Sequence, residues 1–224
     1  MKRNLTARLV FLFLFICTFS NQVISQRTND YKQLLGQYIG EVYDAGSTEE
    51  LELTIEMLHK LSEDNKKQWL PMYYQAYGYI RLALYVSNRE EGRAFLKRAQ
   101  SLIDKAMDLS SNNSELYTLT GLIFASSIRF YQEKKAQDFI EMALVAYNYA
   151  IKLNPKNPRP WFLKGQILSD DYGTKERDLS AGCKFIKKAA ELYNNVQVKD
   201  DLLPQWGSSS NAGYLKLCED KNKR

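Results

Sequence analysis

The chain has 224 residues, with 31 Lys and Arg against 26 Asp and Glu, a formal excess of +5, and a single histidine. A charge excess this small lacks the basic field that drives nucleic-acid binding, and one histidine leaves no second imidazole for a base, a shuttle or a shared metal site. The length is enough for one sizeable core or an elongated stack.

The chain opens as an export signal: Lys2, Arg3 and Arg8 precede an apolar stretch of 11 residues, Leu9 to Phe19, and Val23 and Ser25 are small enough for a cleavage site. The reading is a cleaved signal peptide over 1–25 and a single domain over 26–224. The apolar stretch falls well short of the ~20 residues a membrane-spanning helix needs, so no integral membrane segment is expected after cleavage. Cys17 follows bulky Leu14, Phe15 and Ile16 and fits a lipid-anchor motif poorly. Losing Lys2, Arg3 and Arg8 with the leader brings the excess from +5 to +2. The expected location is outside the cytoplasm, periplasmic or associated with the cell envelope. Lys66 with Lys67 and the tail from Lys221 to Arg224 read as solvated charge.

Four helical hairpins follow, at about 30–62, 70–110, 114–154 and 158–195, the first of them degenerate. In that one, Tyr31, Leu34, Leu35, Tyr38, Ile39 and Val42 keep helical spacing, and Ser47 with Glu50 forms a capping box before Leu51, Ile55, Leu58 and Leu61. His59 sits beside Leu58 and reads as a partly exposed helix residue. The other three share two signatures. Their first helices, helix A, carry an aromatic four residues before a glycine: Tyr74 and Gly78, Tyr117 and Gly121, Trp161 and Gly165. Their second helices, helix B, carry Ala99, Ile103, Ala106 and Leu109, then Ala143, Tyr147, Ala150 and Leu153, then Gly182, Ile186, Ala189 and Leu192. Small residues at the first and third places let helices approach, and larger ones fill the space between. Glycine costs about 1 kcal/mol inside a helix, so its recurrence at 43 and 44 residues predicts close crossings that exclude a side chain. Pro71 and Pro158 suit a first helical turn, and Asn157 is a natural N-cap. Leu203-Pro204-Gln205-Trp206-Gly207 then breaks the pattern, and a short helix from about Ser210 to Asp220, within a terminal cap over 200–220, is expected to cover the end of the stack.

These residues resemble the tetratricopeptide repeat, best in the run Ala143, Tyr147, Ala150, Leu153, Asn154, Pro155. The spacing exceeds the family's period of about 34, and Thr120 and Lys164 replace the leucine that normally precedes the glycine. The last copy, with Gly173, Asp178 and Lys188 to Ala190, also resembles a Sel1-like repeat. Asn157-Pro158-Arg159, Leu163-Lys164-Gly165-Gln166 and Pro204-Gln205-Trp206-Gly207 resemble a group of secreted tetratricopeptide-repeat proteins common in the Bacteroidetes, although Asp170 to Thr174 replaces that group's glycine-rich turn. The resemblance implies an all-α fold, an α-α superhelix of about three to four hairpins with a C-terminal capping helix, and supplies no catalytic residues.

The residues themselves offer little chemistry. No phosphate-binding glycine loop and no strand pattern occurs. Asp170 with Asp171, Glu90 with Glu91 and Asp200 with Asp201 are consecutive, so on a helix each pair points about 100° apart. No catalytic, metal or cofactor residues are assigned, and the expectation is a non-enzymatic scaffold that binds a protein or peptide partner. The family's groove positions map to Met72, Gln75, Tyr79 and Leu82, to Glu115, Thr118, Leu122 and Ser126, and to Arg159, Phe162, Gln166 and Asp170. The second reading is a small-ligand receptor or transport accessory, with Tyr77, Tyr117 and Phe124 around a pocket between the helices. A groove this short leaves a role for homo-oligomerisation in adding area. Once Cys17 leaves with the signal, an oxidising compartment lets Cys183 pair with Cys218, the alternative being two separate buried thiols.

Overall fold

The computed structural model describes residues 29–172, 178–195 and 200–221, so the signal-peptide segment lies outside the described residues. Among the described residues the fold is all-α: helix α1 over 29–44, α2 (Thr48–Asp64), α3 (Leu70–Tyr85), α4 (Arg89–Leu109), α5 (Ser114–Ser127), a 3-10 turn (Ile128–Phe130), α6 (Glu133–Leu153), α7 (Pro158–Ser169), α8 (Leu179–Asn195) and α9 (Ser208–Lys221). The caps explain most of the boundaries. Asn88, Asn113 and Asn157 each accept from backbone N–H groups in the first turn of α4, α5 and α7, and Ser47 does so for α2. The return half of the expected capping box goes elsewhere, because Glu50 takes the N–H of Gly46. Two arginines close helix ends that lack a glycine cap: Arg81 donates to the carbonyls of Val42, Tyr43 and Ala45 after α1, and Arg129 to those of Leu84 and Val86 after α3.

The helices pair as α3 with α4, α5 with α6 and α7 with α8, and the pairs stack through α4 on α5 and α6 on α7. The A helices also touch along the stack, α3 on α5 and α5 on α7. Ala99, Ile103, Ala106, Ala143, Tyr147, Ala150, Ile186 and Ala189 are fully buried. The fourth place differs from the expectation. Leu109 is 41 % exposed and Leu153 and Leu192 are only half-buried. Leu109 and Leu153 are the final residues of their helices, beyond the reach of the facing helix.

The glycines mark the crossings, but not in one register. A Cβ on Gly165 would lie 2.7 Å from Ile186 Cγ1 and 2.9 Å from the carbonyl oxygen of Gly182, and one on Gly121 would overlap the Tyr147 ring. In both pairs helix A meets its own helix B. Gly78 instead faces backwards, with Ile55 of α2 at 2.7 Å. The aromatics follow suit: Tyr74 is buried in the core, whereas Tyr117 and Trp161 lie half-buried against Tyr149 of α6 and Phe185 of α8. Helix α3 is thus rotated relative to its counterparts, because it is packed between α2 and α4 and seats its bare face on the larger residues of α2.

Two apolar cores result, one among α1 to α5 and one among α5 to α9. Leu122 and Trp206 pack against both. Helix α9 packs on α8, where Cys183 and Cys218 are bonded at 2.06 Å. Among the described residues no helix is long and apolar enough to cross a membrane.

Candidate functional site

Residues 200–207 run without helix across the A helices as a strap, held mainly by tyrosines. The Tyr74 hydroxyl donates to the Leu202 carbonyl at 2.8 Å, and Trp206 Nε1 donates to the Tyr73 hydroxyl at 2.9 Å. Tyr193 donates to the Trp206 carbonyl, and the N–H of Gln205 donates to the Tyr43 hydroxyl. The Trp206 ring stacks on Tyr77 at 5.2 Å, and the Arg159 guanidinium lies 5.8 Å from its centroid. Gly207 ends the strap with φ of 101°, a left-handed conformation that favours glycine, and its bare Cα lies against the Tyr193 hydroxyl. Burial raises the hydroxyls of Tyr43, Tyr73, Tyr74 and Tyr193 above the ordinary tyrosine range, so they stay protonated and able to donate.

Under the strap lies a cleft of about 680 Å³. The loops before α5 and α7 form its floor with Asn113, Ser114, Asn157 and Pro158, while Trp69, Tyr193, Leu203 and Pro204 supply apolar wall and Lys156, Asp200 and Gln205 line it as well. The floor is stitched together: Asn157 Nδ2 donates to Ser114 Oγ at 3.0 Å, and Ser114 donates to the Ala150 carbonyl at 2.9 Å. Between them sits a buried ion pair, with Arg159 Nε donating to Glu115 Oε2 at 2.9 Å and Nη2 donating to Oε1. Burial alone would lower the Arg159 pKa, but the Glu115 carboxylate outweighs it and holds the guanidinium charged. The volume lies in the range of small-molecule sites, and the lining is mixed, with one wall of Trp69, Tyr193, Leu203 and Pro204 and a larger number of polar and charged residues on the floor and rim.

The sequence-mapped groove residues divide among separate places. Arg159 lies in the cleft. Phe162, Gln166 and Asp170 are covered by α9, with Phe162 edge-on to the Tyr214 ring, Gln166 donating to the Tyr214 hydroxyl at 3.1 Å and Asp170 accepting from it at 2.7 Å. Thr118 and Ser126 are buried, and Leu122 joins the two cores. Gln75 donates to the Leu58 and Pro71 carbonyls, and with Tyr79 it faces a different cleft, of about 470 Å³, alongside His59, Phe95 and Arg98. Met72 packs at the edge of the first core, and Leu82 is buried within it. The α3 positions miss the strap because of the rotation already described; Tyr73, Tyr74 and Tyr77 take that role. A third cleft, about 840 Å³, is walled by Asp170, Asp178, Tyr172 and Tyr214. Tyr77, Tyr117 and Phe124, expected around a pocket between the helices, pack on Trp206, Tyr149 and Phe139 respectively and line none of these three clefts. Among the described residues no group of three His, Cys, Asp or Glu is placed to hold a metal ion.

Sequence reasoning missed the strap and its tyrosine bed. The available signal was the composition of the pattern break itself: Leu202, Leu203 and Trp206 are too apolar for a connector left in water.

No protein-family model and no curated protein matches this chain. Among solved structures it is similar to the HusA haemophore from Porphyromonas gingivalis, with a TM-score of 0.76 and 21% sequence identity over 85% of this chain and 94% of that one. That likeness extends to the fold.

Proposed function

We propose that this chain is an exported, non-enzymatic binding protein that takes a small, largely apolar ligand into the cleft beneath the strap, on hairpins of the tetratricopeptide type. The observation that carries the reading is the strap: the face on which an extended peptide would lie is already filled by residues 200–207, and what remains is a cleft with one aromatic and aliphatic wall over a polar floor. The similarity in fold to a haemophore supports a small ligand over a protein partner and makes a tetrapyrrole the first ligand class to test. The signal-like start of the sequence and the disulfide between Cys183 and Cys218 agree with a place outside the cytoplasm. The repeat type is supported by Gly165, which meets Gly182 and Ile186 as the helix A glycine of that family meets its own helix B.

The test is titration of the mature protein with protoporphyrin IX, followed by its Soret band and by tryptophan fluorescence. Saturation at one ligand per chain is expected. Leu203→Asp, at a wall residue that is 41 % exposed and therefore cheap to change for folding, is expected to weaken it at least tenfold. No saturable binding, or equal titrations of wild type and variant, would overturn the proposal.

A further inference from the structure

Resting on the cleft as the ligand site, we infer that it recognises a carboxylate on its ligand through the unoccupied edge of Arg159. The residue is only 8 % exposed, yet its guanidinium is not fully used. Nε and Nη2 both serve Glu115, and one side is turned to the Trp206 indole. Among the described residues no acceptor reaches Nη1, although Arg159 lines the cleft. Nη1 is not one of the buried polar atoms cut off from a partner, so it meets solvent at the cleft. An acceptor entering there can replace water on its two N–H groups while the rest of the guanidinium stays fixed by Glu115.

A second feature favours negative charge at the same place. Helices α5 and α7 both begin at the cleft floor, so the positive ends of two helices converge there with Lys156. The cleft's formal charges otherwise cancel, Arg159 and Lys156 against Glu115 and Asp200. Selection therefore comes from local donors more than from a long-range field. One carboxylate oxygen can take Nη1 while the apolar body of the ligand lies along Leu203, Pro204 and Trp69. A dianionic phosphate would bring a second negative charge into a lining whose four formal charges already cancel, beside Glu115 and Asp200.

The experiment compares protoporphyrin IX with its dimethyl ester, which keeps the ring and removes both carboxylates. The diacid is expected to bind at least about tenfold tighter, the scale of one charge-assisted hydrogen bond. Arg159→Lys, which retains a cation for Glu115, should close most of that gap by weakening the diacid alone. Glu115→Gln should widen it, because it leaves the guanidinium less neutralised; a variant that only loosened the cleft would weaken both ligands together. Equal binding of acid and ester to the wild type would overturn the inference and leave the ligand cleft standing. A gap unchanged in both variants would also overturn it, by placing the carboxylate elsewhere. Failure of both porphyrins to bind would remove the cleft reading and this inference with it.

Discussion

Gly165→Ala tests whether the α7 and α8 backbones touch as described. An alanine Cβ there would sit 2.7 Å from Ile186 Cγ1, 2.9 Å from the Gly182 carbonyl oxygen and 2.9 Å from the Ile186 backbone nitrogen. Comfortable carbon contacts begin near ~3.5 Å, so the two helices must part by about 0.6 Å, and two of the three obstacles are main-chain atoms that no rotamer change can move. Overpacking of this kind costs about 1–3 kcal/mol, while replacing a mid-helix glycine with alanine returns about 1 kcal/mol. Because two of the obstacles are main chain, the packing cost falls in the upper part of that range, about 2–3 kcal/mol, and the packing term wins with a net loss of ~1–2 kcal/mol, or a Tm lower by about 2–8 °C for a domain of this size. Gly213→Ala is the matched control, since Gly213 lies within α9 and nothing stands within 4 Å of its missing Cβ. It should gain ~0.4–1 kcal/mol. Thermal and urea unfolding followed by far-UV circular dichroism measure both. If Gly165→Ala is as stable as wild type, or shifts in the same direction as Gly213→Ala, the close crossing is wrong.

Three further outcomes are expected. Reducing the Cys183–Cys218 bond, which closes a separation of 35 residues, should cost about 3–4 kcal/mol on the chain-entropy model, with α9 amides losing hydrogen-exchange protection first; unchanged protection would mean that α9 is held by packing alone. Asn157→Ala removes the cap on the Arg159 N–H and the N–H that the buried Ser114 hydroxyl oxygen accepts, for a loss of about 2 kcal/mol by urea unfolding, and Asn157→Asp, which keeps the capping acceptor, should lose less. Burial pushes Tyr31, Tyr77 and Tyr214 up to about 12 from the ordinary 10.0, with help from Asp200, Tyr43 and Asp170 respectively. The unfolded chain gives up these protons first, so their contribution is intact below pH 10 and drains away as the pH climbs from 10 towards 12; a flat stability profile across that interval in pH-dependent unfolding would refute it.

The stack was legible because it depends on spacing. Alanines and glycines recurring on one helix face leave few packings, and Gly121 and Gly165 meet their own helix B as that spacing requires. The rotation of α3 was not legible, because the Tyr74 and Gly78 signature is the same whether the glycine faces forwards or back; the partner that decides it, Ile55, lies in the hairpin without the alanine pattern. The site was the least legible part. Its residues come from the loops before α5 and α7, from Trp69 and from residues 200–207, and no periodicity ties such distant segments together. Arg159 was reached through family register, while its partner Trp206 stood in plain view as a pattern break whose destination only the tertiary structure supplies.

The strap's covalent attachment decides who can compete for the A helices. A tethered segment meets its docking surface at an effective concentration on the order of millimolar, so an outside peptide making equal contacts would need to reach that level before displacing it. At this face an extended polypeptide would therefore compete with a resident rival that never diffuses away, whereas a compact guest entering beside it would face no such contest.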